Sequence, residues 1–284
     1  MLTIGSNSSV LSAQSQLEKS RKKTEQTLEQ LSSGTQLNNA AVNAANTALS
    51  QSLEAQVRGD NQASSNALDG ISVVQTADSA LSQLQSNTQQ IQELAIQAGN
   101  AALNSSNRQA LQQQVDQLTQ SNSAIIQNTQ YNGTSLLSSN NSLQFQVGPN
   151  GGSGNQINVS TSNLSASPSS GGLNSYNANL AATGTIDLSS PASAIAAQSQ
   201  MQADLAIIGN SRTQLGAASN QFAAAIDNLQ NASLNAQAAN SRISDTDFAA
   251  ATAQLVQQQI LGQSAIAVQA QANLSQRSAL SLLG

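Results

Sequence analysis

Residues 75–99, QTADSALSQLQSNTQQIQELAIQAG, keep one rhythm longer than any other part of the chain and decide what kind of fold it builds. With the preceding residue included, Val74, Ala77, Leu81, Leu84, Thr88, Ile91, Ala95 and Ala98 follow one another at alternating steps of three and four. On an α-helix that spacing collects them into a single coiled-coil seam. The other faces carry Gln, Ser and Asn with few charges, so only the seam demands burial. The stretch therefore predicts a long helix that depends on partner helices.

Composition supports thin helical seams over a thick core. The 284 residues are 38% hydrophobic but only 2% aromatic, with three Phe, two Tyr and no Trp, so the apolar content is chiefly Ala, Leu, Ile and Val. Charged residues make up 8%, and the sustained heptads argue against disorder despite that polar, low-charge surface. A net charge of −5 gives no electrostatic basis for holding nucleic acid or an anionic membrane, and no apolar run approaches membrane-spanning length. The N-terminus lacks the basic and apolar regions of a cleaved signal peptide. All three lysines lie in the cluster Lys19, Arg21, Lys22 and Lys23, which Glu18, Glu25 and Glu29 flank, and this reads as a mixed-charge helix face.

Outward from the opening stretch, Leu11, Leu17, Leu28 and Leu31 predict a first helix with a sparse apolar face, ended by Ser32-Ser33-Gly34. Val42, Ala45, Leu49, Leu53 and Val57 lead into the opening seam, with Gly59 and Gly70 as the weak points of one continuous rod. After a stop at Gly99-Asn100, Leu111, Val115, Leu118, Asn122, Ile125 and Thr129 form an antiparallel partner. Tyr131-Asn132-Gly133 is a turn signal, and Leu143 to Val147 and Gln156 to Val159 alternate as a β-hairpin around a Gly-rich loop. The segment from Thr161 to Pro191 reads as a short, exposed crossing. Leu205, Ile208, Arg212, Leu215, Ser219, Phe222, Ile226 and Leu229 predict a third seam helix, and Ser244 or Asp245 is the expected N-cap of a last helix. There Leu255, Val256, Ile260, Ile266, Ala267, Ala270 and Leu274 form an apolar face wider than one partner can cover. The expected fold is mainly α: a long antiparallel coiled-coil bundle with N- and C-terminal helices paired and a small β-hairpin region in the middle of the chain. Chains of this kind become stable by packing laterally on copies of themselves.

Several blocks now resemble bacterial flagellin. Leu31-Ser32-Ser33-Gly34 resembles that family's first helix break, the run from Val57 to Ala77 (VRGDNQASSNALDGISVVQTA) is similar to its N-terminal block, and Gln92 to Ala98 continues it. Ser241-Arg242-Ile243 with Asp245 and Asp247, Ile260-Leu261, and Leu280-Ser281-Leu282-Leu283 resemble the C-terminal block. The resemblance covers roughly residues 1–150 and 190–284. It implies a secreted, extracellular subunit, exported unfolded through the flagellar type III apparatus, that forms a homopolymeric flagellar filament. It also implies an export chaperone and hook-associated junction and cap proteins as partners. Residues 1–40 with 244–284 would form the inner domain, 41–140 with 190–243 the coiled-coil outer tube, and 141–189 a β-hairpin and exposed connector. The expected packing and self-assembly residues are Val74, Leu81, Leu84, Ile91, Leu111, Leu118, Leu215, Phe222, Leu255, Ile266 and Leu274. The block read by the animal receptor for flagellin usually has arginines before Glu-Leu-Ala and an acidic residue on the facing helix. Here Gln89, Gln90 and Gln92 stand in the first place and Gln114 in the second, so weak or absent receptor activation is expected.

Catalysis finds little support. The chain has no His and no Cys, its carboxylates are scattered, and Asp245 and Asp247 read as helix-start residues with no further oxygen ligands. No cofactor or metal site is expected, and the Gly148 to Gly154 loop lacks the Lys-Ser/Thr of a phosphate loop. Two other functions share the end blocks. One is a hook-filament junction protein, against which the match through Ser241 to Asp247 weighs. The other is a surface-displayed homologue acting as a glycan-binding receptor, for which Tyr131 and Tyr176 are too isolated to form a stacking platform.

Overall fold

A computed structural model describes residues 8–39, 41, 43–178 and 186–281. Val42, Leu282 and Leu283 lie outside the described residues. The described elements are α1 (Ser8–Ser33), α2 (Ala44–Ala98), α3 (Ser105–Asn128), β1 (Gln130–Tyr131), β2 (Thr134–Ser135), β3 (Ser142–Gln146), β4 (Gln156–Ser160), α4 (Pro191–Ser244) and α5 (Phe248–Ser281). The chain is mainly α-helical, with two small antiparallel hairpins, β1–β2 and β3–β4, in its middle. It divides into two compact units, one of residues up to 57 and from 234, the other Arg58–Ser233.

In the unit Arg58–Ser233 the opening seam is buried along its length: Val74, Ala77, Leu81, Leu84, Thr88, Ile91, Ala95 and Ala98 are all almost inaccessible. α3 and α4 both run antiparallel to α2. Asn87 donates to Asn122 Oδ1 at 2.9 Å, and Arg212 Nε meets Asp78 Oδ1 at 2.8 Å. One core gathers Leu81, Leu84, Ile126, Leu136, Leu164, Ile208, Leu215 and Phe222. The second gathers Ile91, Leu111, Val115, Ile186, Leu188 and Met201.

α4 buries a seam different from the expected one. Ile208, Leu215, Phe222 and Leu229 point inward, but the positions between them are Asp204, Ser211 and Ala218, one residue earlier than the predicted Leu205, Arg212 and Ser219. The step after each large residue is three and then four, which leaves Arg212 part-exposed beside α2, paired with Asp78. On α3, Leu118 is half-buried beside the second core while Thr119 takes the inward position.

The glycines expected to weaken α2 are places of close approach. A Cβ on Gly70 would lie 2.4 Å from Phe222 Cζ, and one on Gly59 would lie 2.9 Å from Pro149 Cβ at the hairpin tip. The Phe222 ring is in turn met edge-on by Phe145 of β3, with centroids 5.4 Å apart and planes at 87°. β3 and β4 pair Leu143 with Val159 and Phe145 with Ile157, which turns one apolar face onto this core. The short hairpin β1–β2 turns through Asn132 (φ +48°) and Gly133 (φ +78°), as a two-residue Asn-Gly turn requires.

The connector after β4 is not an exposed crossing. Leu164, Leu173, Ser175, Ile186 and Leu188 are fully buried. A polar chain fixes it: Asn122 Nδ2 donates to Ser175 Oγ at 3.2 Å, while the buried Asp204 carboxylate accepts from the N–H groups of Asn174 and Ser175 at 2.8 and 2.9 Å and from Asn174 Nδ2 at 2.7 Å. A buried charge is tolerable when so fully hydrogen-bonded, and here it pins the connector to α4.

Asp60 is buried without that compensation. One carboxylate oxygen has no partner, and burial raises its pKa above the ordinary 3.8. The folded chain then holds this proton more tightly than the unfolded one. The group's favourable contribution is present at low pH and lost as pH rises through the raised value. Asp60→Asn is expected to raise the melting temperature at pH 7, with the gain shrinking as the pH falls through the raised value and levelling off below 3.8; thermal denaturation across pH checks it. A gain that grows on acidification would reverse the sign.

Candidate self-assembly surface

The second unit pairs α1 with α5. Gly34, in the left-handed region at φ +71°, ends α1 with its N–H on Gln30 O at 2.9 Å. The chain then crosses the start of α5: Thr35 bridges to Asp245, Gln36 N–H donates to Ser244 O at 2.7 Å, and Thr246 N–H donates to Gly34 O at 3.0 Å. The N-cap of α5 is Asp247, whose Oδ1 accepts from Ala249 and Ala250 N–H at 2.9 and 3.1 Å. This corrects the expected Ser244 or Asp245. Asp245 instead accepts from the Ser241 and Ser244 hydroxyls at the end of α4.

The two helices meet along small and polar side chains. α1 turns Ala13, Leu17, Ser20, Thr24 and Thr27 inward. α5 answers with Ala251, Leu255, Gln258, Gly262, Ala265, Gln269 and Ala272, a strict three-four repeat. Ser20 Oγ donates to Gln258 O at 2.8 Å, and a Cβ on Gly262 would lie 3.6 Å from that hydroxyl. Thr24 and Thr27 satisfy their hydroxyls on Ser20 O and Lys23 O of their own helix.

Because the seam uses small residues, the large ones face outward. On α5, Phe248, Val256, Ile260, Leu261, Ile266, Val268 and Leu274 are exposed, Ile260 at 57% and Ile266 at 52%. On α1, Leu11 is 71% exposed and Leu28 is also outside, while Leu17 and Leu31 of the expected face are half-buried and share the inward side with Ala13, Ser20 and Thr27. Leu49 of α2 is likewise exposed, with Ser50 inward and donating to Asn240 Oδ1 at 2.7 Å. Lys19, Arg21, Lys22 and Lys23 sit on the exposed side of α1.

The residues expected to pack or assemble thus separate. Val74, Leu81, Leu84, Ile91, Leu111, Leu215 and Phe222 serve the chain's own cores, with Leu118 half-buried beside one of them. Leu255 is half-buried in the α1–α5 seam, whereas the Ile266 and Leu274 side chains are exposed. Phe248, Val256, Ile260, Leu261 and Val268 belong with the exposed set but are not among the expected assembly residues. The small-residue repeat of α5 was the available signal, since it identifies which face turns away.

A separate groove of about 490 Å³ between α2 and α3 is lined by Gln90, Glu93, Leu94, Gln97, Gln114, Gln117 and Leu118. It brings Gln90 and Gln114 together; Gln89 is exposed nearby in sequence and Gln92 is half-buried. Among the described residues no group of His, Cys, Asp and Glu has the arrangement of a metal site, and no helix is long and apolar enough to cross a membrane.

Residues 4–142 match the family model for the bacterial flagellin N-terminal helical region, and residues 194–283 match that for the C-terminal helical region. The chain is 37% identical over 257 residues to a flagellin of Halalkalibacterium halodurans, covering 90% of each chain. It is 31% identical to a flagellin of Bacillus subtilis, covering 99% of this chain and all of that one. It is also 31% identical to the flagellar filament 30.7 kDa core protein of Treponema maltophilum, covering 90% of each.

Proposed function

This chain belongs to the bacterial flagellin family, and we propose that it polymerises through the outward faces of α1 and α5 into the flagellar filament. Its function is structural: it is an extracellular filament subunit that serves motility. The observation that carries the assembly route is the inside-out α5, which turns its small side chains onto α1 and, among the described residues, leaves seven large ones exposed. Burying such side chains between subunits supplies a driving force that a monomer leaves unused.

On this reading, residues 1–40 with 244–284 form the inner layer of the filament, 41–140 with 190–243 the surrounding layer, and 141–189 a thin outer surface. The subunit travels unfolded through the flagellar export apparatus, and the apolar α5 needs a chaperone before assembly. Hook-associated junction and cap proteins bound the polymer at its two ends. No catalytic role is proposed for any residue. The test is removal of the gene followed by electron microscopy, together with seeded polymerisation of the purified chain. Lost filaments and growth from seeds support the reading. Filaments present with only the hook junction missing would indicate a junction protein, and intact filaments with lost ligand uptake would indicate a receptor.

The α2–α3 groove supports a second, narrower proposal. With Gln89, Gln90, Gln92 and Gln114 where arginines and an acidic residue are usual, the monomer should activate the animal flagellin receptor weakly or not at all. A reporter-cell titration with purified monomer is expected to stay near baseline. Full potency would overturn this.

A further inference from the structure

We propose that Asn150, at the tip of the β3–β4 hairpin, is a site of spontaneous backbone-assisted deamidation, and that the chemically equivalent Asn132 is protected by its turn. The sequence holds two Asn-Gly pairs, Asn132-Gly133 and Asn150-Gly151, and both are exposed. Glycine matters because the reaction is an attack by the following backbone nitrogen, which a side chain on that residue obstructs. The deprotonated Gly151 nitrogen attacks Asn150 Cγ and forms the N–Cγ bond. The Cγ–Nδ2 bond breaks, and the side-chain nitrogen leaves as ammonia. Water then opens the five-membered imide at either carbonyl, giving aspartate or isoaspartate. No oxidation or reduction is involved.

The two sites differ in how far the peptide after the asparagine can turn. Ring closure requires rotation about the Asn Cα–C bond until the next nitrogen reaches Cγ. At Asn132 the turn is two residues long and clamped by the pairs Tyr131↔Thr134 and Gln130↔Ser135, so that rotation must break the hairpin. Asn150 instead lies in the longer loop that joins β3 and β4. A Cβ on Gly151 would meet nothing within 4 Å, and the backbone there is not in the left-handed region. The contact that holds Asn150 is its carbonyl, which accepts from Gln146 Nε2 at 2.8 Å in an exposed position. Its neighbour Pro149 rests on Gly59 of α2, so an isoaspartate, which adds a methylene to the backbone, would disturb a tight helix contact as well as add a negative charge.

The experiment incubates the full-length chain at mildly alkaline pH and maps its peptides by mass spectrometry. Electron-transfer fragmentation separates aspartate from isoaspartate, and near-native conditions keep the hairpins intact. Asn150 is expected to convert roughly tenfold faster than Asn132, equivalent to about 1.4 kcal/mol in barrier. Gly151→Ala, for which the structure has room, should slow Asn150 by a similar factor without changing Asn132. In denaturant the two rates should converge, because the protection of Asn132 is conformational. Equal rates in the folded chain, faster conversion at Asn132, or no effect of Gly151→Ala would each overturn the assignment.

Discussion

Gly70→Ala is expected to destabilise the Arg58–Ser233 unit as strongly as many deletions in a core. The added methyl would stand 2.4 to 2.9 Å from three atoms of the Phe222 ring, inside any permissible contact. The ring has little room to retreat: it is fully buried and makes a T-shaped contact with Phe145. Overpacking of this kind costs about 1–3 kcal/mol, which here outweighs the gain of up to about 1 kcal/mol in helix propensity from replacing glycine. Phe222→Ala removes the largest fully buried side chain and should cost about 3–5 kcal/mol. Made together, the two changes should cost less than their sum, because the smaller residue at 222 makes room for the methyl at 70. Thermal melts of the four proteins decide this, and strict additivity would show that the ring and the glycine do not constrain each other.

The second large effect concerns assembly alone. Ile260→Ser with Ile266→Ser is expected to abolish seeded polymerisation while leaving the melting transition of the Arg58–Ser233 unit in place. Both side chains are more than half exposed, so their loss removes little from the monomer. If both become buried between subunits, the change removes roughly 3–6 kcal/mol per subunit, about two to four powers of ten in critical concentration. Wild-type filament growth by this variant would show that the outward face of α5 does not form the contacts. A matching control is Gln269→Ala, on the inward seam, which should leave polymerisation nearly unchanged.

What the sequence revealed depended on the size of the residues at each heptad position. The α2 seam was legible because Leu81, Leu84 and Ile91 mark both of its alternating positions with large aliphatic groups. On α4 only one of the two is marked, by Ile208, Leu215, Phe222 and Leu229. The other is filled by Asp204, Ser211 and Ala218, so Leu205 and Arg212 drew the pattern one residue out of phase. The pairing of α1 with α5 was expected, but most of its seam was not, for the same reason carried further: apart from Leu17, Leu31 and Leu255 the inward residues are small or polar, and the large ones face outside. Hydrophobic periodicity reports which residues want burial, and on α5 that is a different face from the one buried in the chain itself. The connector hid its role differently. Leu164, Leu173 and Leu188 are single apolar residues without a period, and the connector that carries them is held by long-range hydrogen bonds, Ser175 to Asn122 and Asp204, and Leu188 N–H to Gln112.

The contact between Gly70 and Phe222 joins parts of the chain that lie far apart in sequence. The partners of the α2 seam at Ile208, Leu215 and Phe222 lie far downstream, with both hairpins and the connector between them. On the export route proposed above, a chain emerging from either end can pair α2 with α3 locally but cannot close the α2–α4 contacts until the opposite half follows, and closing so long a loop is slow. On that proposed route, the wiring that ties α4 to α2 in the finished unit delays the closing of this core until nearly all of the chain has arrived.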